Sequence, residues 1–176
     1  DVSDASSKTS VTGENFSPRA GIVYQPFDST SLYFGWSNSF LPVTFGRTRG
    51  EPLKPEIGEQ YEIGIKQEFL GDRLWANLAF YKIDRQNVSI TDPFDPNFIR
   101  QIGEQKSRGI ELDIQGRPLD GLNVIATYAY TDAYVSKDTT IEIGAPLFGV
   151  PQHSGSLWTT YEIQGGLFKG LGFGGG

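Results

Sequence analysis

The stretch that decides the fold is GEQYEIGIKQEFLGDRLWANLAFYKID, residues 58–84. In its first half Tyr61, Ile63, Ile65 and Phe69 alternate with Gln60, Glu62, Lys66 and Glu68. A period of two puts the apolar set on one face of a β-strand and the charged set on the other. Leu70-Gly71-Asp72-Arg73 is a tight turn, and Leu74, Ala76, Leu78 and Phe80 repeat the pattern on the way back. The hairpin therefore has one broad apolar face and one face with full charges.

The pattern recurs along the chain. Strands are expected at 20–25, 31–38, 58–69, 74–84, 107–115, 122–134 and 152–163, with a last one beginning near the end. The turns FDST, LGDR, GRPLDG and QGGLFKG are short. The connections 39–57, 85–104 and 135–151 are long and rich in Pro, Gly or Asp, the second with a short hairpin expected to extend from its base. Short and long connections thus alternate, and no segment has convincing helical spacing. An antiparallel up-and-down meander with tight turns on one rim and long loops on the other follows the rule of outer-membrane barrels. In that setting the apolar sets, including Ile110, Leu112 and Ile114 and Leu122, Val124, Ala126, Tyr128 and Tyr130, face lipid. Trp36, Phe40, Phe69, Tyr81, Tyr128, Tyr130 and Tyr161 are read as interfacial girdles. Glu62, Lys66, Glu68, Glu111, Asp113 and Gln115 face a wet lumen, where charge is tolerable.

Composition agrees. The chain has 176 residues, 38% of them hydrophobic and 13% aromatic, with 22 Gly, 10 Pro and no Cys. No apolar run reaches the roughly 20 residues of a spanning helix. The absence of Cys removes disulfide, Cys–zinc and Cys-redox chemistry. A net charge of −6 argues against a nucleic-acid partner. The polar start without Met and the Gly-rich end lead us to expect an excised piece, truncated at both ends.

The words themselves are similar to a known family. SPRAGIVYQPFDSTSLYFGWSNSFLP (17–42), GEPLKPEIGEQYEIGIKQEF (50–69), LWANLAFYKIDRQNV (74–88), GEQKSRGIELDIQGRPLDGLNVIATYAYTDAYV (103–135) and VPQHSGSLWTTYE (150–162) resemble the C-terminal barrel of TonB-dependent siderophore receptors, nearest the ferrichrome and hydroxamate branch. The resemblance implies an all-β fold, with residues 1–176 forming about eight strands of a plugged barrel of about 22 strands. It implies the bacterial outer membrane and uptake of a ferric siderophore driven by TonB. The plug and TonB box of the family have no counterpart in these residues. Iron is expected only inside the chelate, with no cofactor, and no covalent chemistry is implied, so the chain is not read as an enzyme. Outer-membrane lipids are the remaining partner.

Ligand contacts are expected on the long loops: Phe45, Arg47 and Arg49 in the first, Phe94, Phe98 and Arg100 in the second, Phe148 in the third. A planar guanidinium suits an anionic chelate, and an aromatic ring suits an apolar siderophore backbone. For each of these the plainer role is packing of loop on loop. Glu111 and Asp113, two apart on one strand, are read as lumen charges rather than an acid–base pair. His153 stands alone, whereas metal sites gather several ligands. GLGFGGG lacks the strand–turn–helix context of a dinucleotide site, and the sequons NFS and NVS are ignored. Gly109 is read as barrel geometry. Two other readings share the pattern: a self-contained eight-stranded membrane barrel of structural or adhesion type, and a soluble β-sandwich binding module. Solubility without detergent separates the last from the other two.

Overall fold

The computed structural model describes residues 16–43, 48, 53–92 and 94–176. Eight strands follow one another: β1 (Arg19–Phe27), β2 (Thr30–Leu41), β3 (Glu56–Phe69), β4 (Leu74–Thr91), β5 (Ile99–Leu119), β6 (Leu122–Lys137), β7 (His153–Glu162) and β8 (Gly172–Gly175). They form one sheet in chain order, each pairing antiparallel with the next, and the sheet does not close on itself. Two strand limits differ from the sequence reading near prolines. β1 continues past Pro26, which sits in a bulge between Tyr24 and Phe27 where no ladder donor is needed. β5 continues through a second bulge between Gly116 and Leu119, so the turn is only Asp120-Gly121.

The register carries the expected alternation across the sheet. Ile22, Phe34, Ile63, Phe80, Ile110 and Tyr130 are successive cross-strand partners. The next row is Leu32, Ile65, Leu78, Leu112 and Tyr128. These apolar side chains share one face and stay open to the surroundings: Ile63 is 58% exposed and Phe80 48%. The rows of the opposite face read Tyr33, Gly64, Ala79, Glu111, Ala129 and Ser31, Lys66, Asn77, Asp113, Thr127. Ala79, midway along that face, is only 2% exposed. The apolar band thus lies outside any core, as lipid contact requires and a sandwich forbids.

The apolar band has a sharp upper limit. Toward the long-loop rim the next outward rows are Trp36, Tyr61, Lys82, Arg108, Asp132 and then Asn38, Glu59, Asp84, Lys106, Tyr134. Glu59 accepts from Trp36 Nε1 (3.0 Å) and Tyr61 Oη (2.9 Å), Lys82 lies 2.9 Å from Asp84, and Arg108 lies 2.9 Å from Asp132. Aromatic rings followed by paired charges mark the passage from hydrocarbon to headgroups and water.

One aromatic falls on the other side. Tyr81 is not a girdle residue: its register partners are Glu62 and Gly109, and its hydroxyl lies 2.9 Å from Thr131 Oγ1 on the inner face. Its ring lies where a Cβ on Gly109 would be, and Tyr33 covers Gly64 in the same way. A tyrosine folded over a cross-strand glycine covers backbone that has no side chain of its own. Gly109 is required by this contact.

The described residues hold little conventional core. Val88, Ile102 and Val135 form one buried cluster, with Ile90, Ile141 and Leu147 against it, and all of it belongs to the long-loop rim.

The two faces predict different costs. Replacing Ile63 with Lys in the complete protein should lower folding stability in lipid vesicles by roughly 2–4 kcal/mol, whereas Glu62→Gln on the inner face should cost much less. Urea unfolding in vesicles measures both; equal costs would contradict the assignment of faces. Gly109→Val should cost about 1–3 kcal/mol by displacing the Tyr81 ring and meeting the Tyr130 carbonyl, and the same titration reads it.

Candidate functional site

The long-loop rim is built largely by strands that outlast the sheet's common height. The interval 85–104, expected to be a long loop with a short hairpin extending from its base, is mostly hairpin: β4 runs to Thr91, β5 starts at Ile99, and 92–98 joins them. Pro96 lies in the irregular part at the tip. There Asp92 N–H donates to the Phe98 carbonyl (2.9 Å), and Asp92 Oδ1 accepts from Phe94 N–H (2.8 Å). Phe94 is consequently displayed at the tip, 82% exposed, while Phe98 closes the turn and is half-buried. Arg100 lies in β5, not in a loop.

The connection after β6 also has order. Gly144 N–H and the Ala145 carbonyl pair with Val135 (2.8 and 2.9 Å), and Leu147 N–H donates to the Ala133 carbonyl (2.9 Å). The segment folds back along β6 and delivers Ile141 and Leu147 to the buried cluster. Phe148, one residue on, is fully exposed. Phe45, Arg47 and Arg49 lie outside the described residues.

Asp138 organises this loop. Its Oδ1 accepts from the N–H groups of Thr140 and Ile141 (2.7 Å each) and from Arg100 Nη2 (3.3 Å). Burial by itself would raise its pKa, but the two N–H donors and the Arg100 guanidinium outweigh it, and the carboxyl is held below the usual range. Arg100 Nη1 also reaches Thr140 Oγ1 (3.4 Å). The structure thus joins Arg100 to the loop that carries Phe148.

A second group of polar residues was invisible to spacing. The β3–β4 ladder ends at the pair Ile57 and Gln86, just before Asn87, whose φ is 56°. Side chains take over there. Glu56 accepts from Ser89 N–H (2.7 Å) and Arg85 Nη2 (2.8 Å). Asn87 Nδ2 donates to the Pro55 carbonyl (3.0 Å). Gln101 Oε1 accepts from Lys54 N–H (2.8 Å), and its Nε2 donates to the Lys54 carbonyl and to the Asn87 carbonyl (2.9 Å). Residues 54 and 101 are far apart in sequence, so no local pattern announces the contact. Below it, Arg19, Ser37, Ser39, Gln60 and Arg85 line an inner-face hollow of about 490 Å³.

The remaining candidates are wall residues. Glu111 and Asp113 sit on the inner face opposite Ala79 and Asn77. His153 opens β7 on the outward face, with Nδ1 2.8 Å from Tyr128 Oη and its ring 5.2 Å from that of Tyr130. Among the described residues no three His, Asp or Glu side chains gather as metal ligands would.

A meander with an exposed apolar face, a polar inner wall and projecting loops on one rim defines the wall of an outer-membrane β-barrel. The family described as TonB dependent receptor-like, beta-barrel matches residues 1–176, and the chain belongs to it. The metal-pseudopaline receptor CntO of Pseudomonas aeruginosa is 38% identical over 153 residues, covering 87% of this chain and 22% of that protein. The ferrioxamine B receptor of Salmonella typhimurium is 32% identical over 171 residues, covering 97% of this chain and 24% of that protein. Among solved structures, the ferripyoverdine receptor of the outer membrane of Pseudomonas aeruginosa, bound to ferripyoverdine, superposes with a TM-score of 0.74 at 29% identity, over 93% of this chain and 22% of that one. The chain therefore spans about a fifth to a quarter of the length of these relatives, all of them receptors.

The Asp138 geometry fixes the sign of a pH effect. The folded-state pKa lies below the unfolded value of about 3.9, so the ionised carboxylate stabilises the loop at every pH above that value. The contribution is lost as pH falls through the folded value. Pepsin cleavage within 138–152 of the complete receptor should rise as pH drops below about 4 by more than the enzyme's own pH profile explains. In Asp138→Asn the loop should already be loose at higher pH, with that extra rise gone. A parallel rise in both proteins would contradict the role given to Asp138.

Proposed function

We propose that residues 1–176 form about eight consecutive strands in the wall of a roughly 22-stranded plugged barrel that imports ferric siderophores across the outer membrane. One observation carries this reading. The sheet has an apolar face without a core, a polar inner face, and a set of ordered loops gathered at one rim. Such a wall makes and breaks no bond. It holds the chelate until a gated change of shape lets it pass, and the physics is differential binding to two states. Iron enters as cargo inside its chelator. The force comes from TonB acting on a plug, and the wall supplies the passage and the rim.

On the rim, Phe45, Arg47, Arg49, Phe94, Phe98, Arg100 and Phe148 are proposed to contact the chelate, rings against its carbon skeleton and guanidinium groups against its anionic oxygens. Phe94 and Phe148 are the most exposed of those described. Arg100 already has Asp138 as partner, so its contact is shared with the loop it holds. The family kinship supports a ferric hydroxamate, as the name of the ferrioxamine B receptor has it. The higher identity to CntO supports a second ligand class, a metal complex of the pseudopaline type.

The test is uptake. The complete receptor, expressed in cells lacking their own receptors, should import radio-iron presented on ferrioxamine B or ferrichrome, or else metal presented on pseudopaline. Uptake should cease without TonB. Phe148→Ala should weaken chelate binding by about five- to thirtyfold, as interface aromatics do when truncated. A purified receptor that binds none of these complexes, or uptake that continues without TonB, would overturn the proposal.

A further inference from the structure

The point where the β3–β4 ladder stops contains a device that the wall does not need. Above Ile57 and Gln86 the backbone of 54–56 has no partner in β4, although Glu56 still pairs with Leu41 of β2 on its other side. A free loop there would leave its amides to water. Gln101 instead offers both halves of its amide to the backbone of Lys54, one accepting and one donating. These are the two bonds a neighbouring strand residue would make in an antiparallel ladder. The same Nε2 reaches the Asn87 carbonyl, and the positive φ at Asn87 interrupts the regular β conformation beside it. Asn87 returns the contact through the Pro55 carbonyl, and Glu56 closes the group on Ser89 N–H and Arg85.

The position of Gln101 in β5 matters as much as its bonds. Its neighbour Arg100 holds Asp138 and Thr140, at the start of the loop between β6 and β7. Successive residues of a strand point to opposite sides. Two adjacent side chains of one strand therefore fasten the loop bases on both flanks to the same hairpin, whose upper part rests on the buried cluster of Val88, Ile102 and Val135.

We propose that Gln101 is a positioning residue for ligand capture: its side-chain amide sets residues 54–56 against the β4–β5 hairpin, so that the foot of β3, the hairpin and the loop after β6 meet a ligand as one preformed body. This rests on the receptor reading above. The physical consequence is preorganisation. A loop whose base is already fixed loses less freedom on binding.

The test uses the complete receptor with Gln101→Ala, and Asp138→Asn as a comparison that loosens the opposite flank. Without ligand, amide exchange at Lys54 should quicken by about two- to tenfold in Gln101→Ala, the scale of one net hydrogen bond, and should stay at the wild-type rate in Asp138→Asn. Binding of ferrioxamine B or ferrichrome, measured by fluorescence quenching, should weaken by a similar factor in Gln101→Ala, while unfolding in urea should shift little. Unchanged exchange at Lys54 would overturn the proposal, as would faster exchange with unaltered chelate affinity. If the wild type binds neither chelate, the hydroxamate reading falls by itself, and exchange at Lys54 still decides whether Gln101 fixes the loop.

Discussion

Hydrocarbon offers no partner for a peptide group, and the rest of this structure depends on that constraint. Each strand must find its hydrogen bonds in the strands beside it, so the chain runs as an unbroken ladder from β1 to β8 in sequence order. A ladder with period two then forces each side chain to one of two solvents. Ile63, Phe80 and Ile110 share the apolar face because they are register partners; Glu62, Glu111 and Asp113 share the inner face by the same rule. The packing that makes soluble proteins coherent is replaced here by backbone pairing, and among the described residues it reappears at the long-loop rim, in the cluster around Ile102.

Where a side chain or a ladder partner is missing, the molecule substitutes for it. Tyr33 and Tyr81 lie over Gly64 and Gly109 on the inner wall. Asp138 supplies an acceptor to two loop amides. Gln101 supplies a donor and an acceptor to the backbone at Lys54. The outward charges near the long-loop rim follow the same logic: Glu59, Asp84 and Asp132 each have a donor or a cation beside them, and they stand just beyond the last apolar row. The result is a wall whose rim is braced at both flanks of the β4–β5 hairpin.

Sequence reasoning found the strands inside the membrane because lipid imposes a strict alternation there. It did less well above the membrane. In 85–104 the prolines at 93 and 96 and the polar Asn87, Ser89 and Thr91 read as a long loop with only a short hairpin at its base, although β4 and β5 continue through most of it. Out of lipid, outward residues need not be apolar, so the alternation fades while the pairing persists. Tyr81 was misplaced for a related reason. An aromatic near a strand end fits a girdle, but its parity places it inside, over a glycine of the adjacent strand.

The sequence by itself determined the wall: one strand after another, which side chains meet lipid, and which rim carries the long connections. Those features follow from a repeat of two residues and from turn chemistry, both of which are local. Only the tertiary structure decided that Gln101 grips Lys54, that Arg100 belongs to Asp138, that Phe94 and Phe148 are held out to solvent, and that Val88, Ile102 and Val135 form a small core above the membrane. These contacts join residues separated by long intervals of chain, and a side-chain amide or guanidinium shows no periodicity that would reveal which distant backbone it will hold.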